Sequence, residues 1–520
     1  MRTTFRVFLL PIFGSLAACG GGGGGGGGSG PPVGGNPWRA GVFQPSANYD
    51  SMCVNPRAGT ADRSGTRNDE NNWLRSWTNE LYLWYGEVTD RDPSLYETDQ
   101  YFELLKTNAV TASGQAKDKF HFTYDTAAWV ALSQGGTSSG YGAEFALLAV
   151  VPPRRIVVAF TEAGSPGGTL LARGDEILQV DGADAVNGNT QAIVDVLNAG
   201  LFPDANGENH TFRVRNTAGV ERDVSLTSQT ITRVPVPIVT TLATASGDVG
   251  YIQFNDHIAT AEDDLEAAIE SLNDQNVTDL ILDLRYNGGG YLDMASELSY
   301  MVANTTLTSG RTFEKIVFND KNPTRNPVTG ELLQPTPFHS TSQGFSGAAG
   351  RALPTLNLDR IYIIAGPDTC SASESIINGL RGVNVQVYII GSTTCGKPYG
   401  FYPMDNCGTT YFSIQFRGEN AMNFGDYSDG FSPANQAGAA GTALPGCSVA
   451  DDFSHELGDA DEGRIAAALA FRASNNLSCP APSGVSEPRV AKASFDLDGR
   501  GLAVSKPAVT SNRILRHSPP

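Results

Sequence analysis

The chain has 520 residues, of which 40% are hydrophobic and 18% charged, with a formal net charge of -19. This length exceeds one ordinary domain, and the composition is globular rather than disordered. The acidic balance excludes a sequence-independent nucleic-acid binder, which needs a basic face; no stretch approaches the roughly 18 consecutive apolar residues of a transmembrane helix.

The first residues read as a targeting signal. Arg2 and Arg6 flank "VFLLPIFGSLAAC", too short to span a bilayer as a mature helix. Its end, Leu16-Ala17-Ala18-Cys19, resembles the bacterial lipobox, in which the cysteine is lipidated and becomes the new N-terminus. A secretory signal cleaved after a small residue is the alternative. An unbroken glycine run, Gly20 to Gly28, then "SGPPVGGNP", makes residues 20–60 a flexible tether. These features predict a lipid-anchored cell-envelope protein, at the outer membrane and facing the periplasm or exterior. The anchor is its only expected membrane contact.

If Cys19 carries lipid, six of the seven cysteines remain: Cys53, Cys370, Cys395, Cys407, Cys447 and Cys479. An even remainder in an exported chain points to disulfides. No C-x-x-C or His/Cys cluster at ligand spacing occurs, so no metal is expected.

Residues 61–134 read as an N-terminal helical domain. "NDENNWLRSWTNELYLWYGEV" sets Trp73, Trp77, Leu81 and Trp84 at three- and four-residue steps, one packing face of a helix. "SLYETDQYFELLK" continues helical. Over 135–230, short β-branched runs are broken by glycine and proline, predicting a small β-rich domain. "NTQAIVDVLNAG" is a helix within it, and "HTFRVRNTAGVERDVSLTS" a hairpin turning near Ala218-Gly219. This order resembles a PDZ domain. The resemblance rests on "SPGGTLLARGDEILQVDG" and on "GYGAEFAL", whose Gly140, Tyr141, Gly142 and Ala143 match the loop that holds a peptide's terminal carboxylate.

From 231 to 478, strands alternate with helices. "VGYIQFN", "VTDLILDLRYNGGG", "RIYIIAGP" and "VQVYIIG" read as strands; "EDDLEAAIESLNDQ", "YLDMASELSYMVAN" and "SASESIINGLRG" as helices. Alternation of this kind predicts an α/β domain with several parallel strands. "NDKNPTRNPVTGELLQPTPFHSTSQG" reads as a long surface excursion, and the tail 479–520 as poorly ordered.

"DTCSASESIINGLRG" follows an apolar strand, so Ser371 lies where a side chain projects from the end of a sheet, the place where open α/β sheets bind ligands. Serine is a weak nucleophile without a base. "GSTTCGKPYG" supplies one in Lys397, 26 residues on (397 − 371), where it emerges from another buried strand. Desolvation lowers a lysine's pKa, and a neutral amine can take a serine proton.

The set "LILDLRYNGGG", "SASE" and "GSTTCGK", in this order after a PDZ-like unit, resembles the C-terminal-processing (tail-specific) serine proteases over about Tyr141 to Phe471. The resemblance implies a mixed sheet with flanking helices and a crotonase-like or ClpP-like core. It assigns Ser371 as nucleophile rather than Ser373, which would point to another side of the helix. Lys397 is then the general base, and the oxyanion donors are the backbone N–H groups of Ala372 and of Gly288 or Gly289. Many relatives carry a glutamine four residues after the lysine to orient its amine; here Phe401 stands there. Thr394 or the backbone is expected to replace it. Glu374 reads as a structural or helix-start charge, and Asp283 with Arg285 as an ion pair bracing the glycine turn.

If Ser371 and Lys397 meet, Cys370 and Cys395 also come close, so a bridge beside the pair is one pairing; Cys395 with Cys407 is the other. His257 is the only histidine singled out for a minor catalytic part. The expected function is an envelope serine endopeptidase that recognises protein C-termini, needs no cofactor, acts on proteins or peptides with free C-termini, and binds no nucleic acid. The alternative is a non-catalytic PDZ-bearing envelope scaffold, favoured by the missing glutamine.

Overall fold

The computed structural model describes residues 38–483 and the short strand Arg513–Ile514. The expected signal, Cys19, residues 20–37 of the tether and most of the tail lie outside the described residues; residues 38–60 are not a free tether, since Met52–Cys53 pairs with Arg63–Ser64 and Cys53 is bridged to Cys407. Among the described residues no helix is long and apolar enough to cross a membrane.

The first helix, α1 (Arg67–Leu81), starts at Thr66, whose hydroxyl and backbone N–H both bond Asp69 in a capping box. Trp73 and Trp77 stack at 5.3 Å on its buried face. Trp84 lies beyond the helix end, and packs edge-on against Tyr399 at 4.7 Å instead of extending the stripe. A short helix α2 (Thr98–Leu104) precedes strand β1 (Phe122–Asp125) and helix α3 (Thr126–Gly135).

Strand β2 (Thr137–Gly140) leads into an antiparallel unit of β3 (Ala143–Ala149), β4 (Arg155–Thr161), helix α4 (Pro166–Leu170), β5 (Glu176–Val180), helix α5 (Gln191–Leu201), β6 (Asn209–Arg215) and β7 (Glu221–Thr227). The spatial order is β7-β6-β5-β4-β3, all antiparallel. Alternate residues of β7, Val224 and Leu226, face a core shared with Phe145, Val158, Leu197 and Phe212. Strand β8 (Gln229–Thr232) pairs back with β2 as the chain leaves the unit.

The second sheet is built from β9 (Ile238–Leu242), β10 (Val249–Gln253), β11 (Asp279–Asp283), β13 (Arg360–Ala365), β14 (Gln386–Gly391) and a later strand, with helices α6 (Ala261–Asp274), α7 (Leu292–Val302) and α8 (Ala372–Gly382) between them; β12 (Gly290–Tyr291), after β11, lies outside this sheet. Beyond β14 come β15 (Tyr399–Gly400), β16 (Met404–Asn406), β17 (Thr409–Phe412), β18 (Gly446–Ser448) and helix α9 (Gly463–Ala473). The main order is β9-β10-β11-β13-β14-β18, parallel except for β9 against β10. Continuous apolar runs such as "DLILD" and "RIYIIA" suit central strands covered on both faces.

Two organisational expectations change. Residues 61–134 are not a separate helical domain: β1 pairs with β17, and Tyr82, Phe120, Phe122 and Trp129 enter the large core of the second sheet. Trp73, Trp77 and Phe102 pack on Tyr411, and Cys53 is bridged to Cys407. The described residues from Ala40 onward form one unit. The physical reason is that these short helices cannot enclose their aromatic stripe alone: Trp77 packs on Phe102 of α2, and Tyr411 of β17 closes over both. The tail also holds structure: Cys479 is bridged to Cys447, and Arg513–Ile514 form a strand, β19, parallel to β12.

Candidate active site

Three loops at the C-terminal ends of β11, β13 and β14 meet. The loop after β13 ends at Ser371, the residue before α8, with φ +62° and ψ −115°. Positive φ is rare for a residue with a side chain and costs on the order of 1–3 kcal/mol. Ser371 is fully buried, and among the described residues its hydroxyl has no hydrogen-bond partner. Ser373, by contrast, donates its hydroxyl to Asn287 O at 3.1 Å. Ser371 is thus the uncommitted hydroxyl of the two.

The loop after β14 carries Thr394, Cys395, Gly396 and Lys397. Gly396 has φ +79°, and a Cβ there would collide with Ser428 O, so only glycine fits. Lys397 is fully buried, with its Nζ 4.4 Å from the centre of the Phe401 ring and 5.0 Å from that of Phe120. Phe401 therefore offers the lysine an aromatic face where the resembling family has an amide.

Glu374, on the first turn of α8, joins the two loops. Its Oε2 accepts the backbone N–H of Ser371 at 3.1 Å and of Lys397 at 2.8 Å. Its Oε1 accepts the N–H of Gly396 at 2.8 Å and the Thr394 hydroxyl. Burial raises its carboxyl above the ordinary range, against these four hydrogen bonds, which favour the anion. Thr394, expected as an orienting group for Lys397, bonds Glu374 and accepts the Phe431 N–H at 2.8 Å. Cys370 and Cys395 form the bridge beside the pair, with Cα atoms 5.2 Å apart. The Cys395–Cys407 alternative is excluded, because Cys407 is joined to Cys53.

The third loop, 284–290, follows β11. Asn287 organises it: its Nδ2 donates to Phe254 O, and its Oδ1 accepts the Gly289 N–H, each at 2.9 Å. Its backbone carbonyl accepts the Cys370 N–H at 3.0 Å. Gly289's N–H is therefore turned inward, which removes it as an oxyanion donor. Among the described residues none accepts a hydrogen bond from the N–H of Gly288 or of Ala372. Asn287 was not singled out in the sequence; the signal was an asparagine directly before three glycines.

Beneath this loop, Arg285 lies 3.0 Å from both Asp283 oxygens, as expected, and also bonds Glu462 and Asp451 at 2.7 Å each. Burial pushes Asp451 up, but Arg285, Arg464 and Arg173 hold its carboxyl well below the usual range. Arg173 of the β unit bonds the same Asp451 and the Tyr286 hydroxyl, linking that unit to the loop. Arg285 lies more than 160 residues from Asp451 and Glu462, so no local pattern pairs them with it, although Glu462 is also the N-cap of α9 and accepts the Arg464 and Ile465 N–H groups.

A cavity of about 60 Å³ opens beside Gly288, Gly289 and Gly290, lined also by His257, Asp256 and Arg233. The peptide-loop residues Gly140, Tyr141, Gly142 and Ala143 border a groove of about 350 Å³ that includes Leu201, Phe202 and Ile231 and adjoins the first cavity through Glu144, Phe160, Glu162 and Arg233. Tyr141 is buried and donates its hydroxyl to Gly200 O at 2.9 Å, so its ring supports the loop from below.

Comparison with known proteins defines the class. Residues 248–402, which span β10 to the turn after β15, match the family model of peptidase family S41. A Bacteroides fragilis protein assigned to the S41 proteases has the same fold, with TM-score 0.56 and 21% identity over 78% of this chain and 97% of its own. A photosystem II D1 C-terminal processing protease matches at TM-score 0.42 and 19% identity, over 72% of this chain and 94% of its own. No curated protein matches the chain. The protein is a serine-type peptidase in class. Its catalytic sheet carries a domain of peptidase family S41.

Proposed function

We propose that the chain is an envelope serine endopeptidase that cleaves proteins near their C-termini through an acyl-enzyme on Ser371, with the 143–227 β unit acting as a PDZ-type receptor for the tail. The observation that carries this reading is the single Glu374 oxygen bonded by the backbone N–H of both Ser371 and Lys397. It brings the two residues into one small site with an uncommitted hydroxyl.

In this reading Ser371 Oγ attacks the scissile carbonyl carbon while Lys397 Nζ takes its proton. The step requires a neutral amine at Lys397, whose side chain is fully buried. The N–H groups of Ala372 and Gly288 receive the oxyanion, each such donor being worth typically about 2.7–4 kcal/mol. Collapse of the intermediate expels the amine product, which takes the proton back from Lys397, and water then releases the acyl group by the same route. Arg513–Ile514 lying parallel to Gly290–Tyr291 supports entry of an extended peptide as an added strand beside this turn.

Purified Ser371→Ala and Lys397→Ala variants, assayed on a denatured protein with a hydrophobic C-terminus, test the reading. Each should lose at least a thousandfold in kcat; wild-type rates in both would refute the pair. If the wild type binds such tails and never cleaves them, the scaffold reading, favoured by Phe401, holds instead. For the anchor, Cys19→Ser should move the protein from the membrane to the soluble fraction.

A further inference from the structure

The pair Ser371 and Lys397 lies on two loops from different strands, and no amide stands at position 401 to orient the lysine. Two covalently distinct restraints act on both loops at once. The first is Glu374, whose carboxyl takes three backbone N–H groups at 2.8–3.1 Å, one from the serine's residue and two from Gly396 and Lys397. The second is the Cys370–Cys395 bridge, which joins the residue before Ser371 to the residue two before Lys397. Backbone bonds extend the same lacing: Cys395 N–H donates to Thr369 O at 3.0 Å, and the Thr369 hydroxyl donates to Leu284 O at 2.8 Å. The Cys370 N–H reaches Asn287 O at 3.0 Å. All three loops of the site are thereby tied to Thr369 and Cys370, the two residues that precede the serine.

We infer that Glu374 and the Cys370–Cys395 bridge together form the positioning device for Lys397 against Ser371, replacing an orienting side chain four residues beyond the lysine. The inference rests on the reading of Ser371 and Lys397 as nucleophile and base. Neither Glu374 nor the bridge touches the reacting atoms in this role. They act through backbone placement, which is where reaction rates are sensitive to displacements of an ångström or less. A carboxylate suits the task because both oxygens are acceptors; an amide would present its NH₂ to one pair of donors.

The decisive variant is Cys370→Ala with Cys395→Ala, compared with Cys447→Ala with Cys479→Ala as the control bridge. The first pair should lose at least tenfold in kcat with KM within twofold, and the rising limb of its kcat/KM profile should move to higher pH as the lysine gains access to water. Labelling of Ser371 by a fluorophosphonate should slow in parallel. The control pair should keep wild-type kcat and pH profile. Glu374→Gln should lower kcat further than loss of the bridge; should it fail to fold, the bridge variant decides alone. A folded Cys370/Cys395 variant with kcat within twofold of wild type and an unmoved pH profile overturns the inference. If Lys397→Ala is inactive in that case, the pair stands and only the positioning claim falls; if Lys397→Ala is fully active, both fall.

Discussion

Asn287 Oδ1 and His257 Nδ1 lie 2.9 Å apart, and the amide's other bonds settle which atom donates. Because Asn287 Nδ2 is held by Phe254 O, the oxygen faces His257, so the imidazole carries its proton on Nδ1 and its buried Nε2 has no partner. The histidine thereby supports the glycine turn from below.

Asn287→Ala removes the side chain that holds the turn while leaving Ser371 and Lys397 in place. The Gly289 N–H loses its acceptor, so the turn can relax away from the oxyanion position. Loss of a donor there should lower kcat about 100- to 1000-fold, by analogy with other oxyanion donors, with KM changed far less. Steady-state kinetics on one peptide substrate check this. Wild-type kcat would show that the turn is not part of the reaction site.

Two buried groups give the stability opposite pH slopes. Burial holds His257 down to about 3, with the Asn287 bond opposing, so between pH 6.5 and 3 the unfolded chain binds a proton that the folded chain does not. That contribution is complete above about pH 6.5 and is lost as the pH falls. Glu297 is raised to about 9 by burial and by Glu262, which accepts backbone N–H groups of residues 343–347 and stays the charged member. Its contribution is present below about pH 4.5 and is lost as the pH rises through 9. From pH 4.5 to 6.5, Glu297→Gln should therefore make the slope of unfolding free energy more positive, and His257→Gln more negative, each by about 1.4 kcal/mol per pH unit. Urea midpoints at four pH values measure both.

Gly142 has φ +70°, and a Cβ there would collide with the Ser165 side chain. Gly142→Val should distort the loop bordering the 350 Å³ groove and weaken binding of a C-terminal peptide at least tenfold. Cleavage of a short peptide that does not reach this groove should be unchanged. Titration of a fluorescent tail peptide reads the first effect. Unaltered binding would remove this loop from tail recognition.

The Cys53–Cys407 bridge spans 354 residues. A chain-entropy estimate for so long a loop is about 6 kcal/mol. Cys53→Ser with Cys407→Ser should lower the unfolding midpoint by several degrees and expose residues 54–66 to limited proteolysis. Its kcat at 25 °C should stay within threefold of wild type, because the bridge restrains the N-terminal segment and not the Ser371 loop.

The central strands and the helix after Ser371 were legible because a buried strand needs a continuous apolar run and a helix start leaves a local signature. The Asp283–Arg285 pair was legible for the same reason, its members being two residues apart. Trp84 was misread, since periodicity alone cannot show where a helix stops. The N-terminal segment was misread as a domain because an aromatic stripe reveals that it is buried, not against what.

By itself the sequence determined the alternation of strands and helices, the serine-bearing turn and the lysine-bearing loop, since each depends on residues close together in the chain. Only the tertiary structure decided which glycine N–H is spent on Asn287, which cysteines pair, and that one carboxyl of Glu374 holds the backbones of both Ser371 and Lys397. Those outcomes are contacts between loops from different strands, and no local pattern of propensity or periodicity encodes which distant groups a folded sheet brings to the same edge.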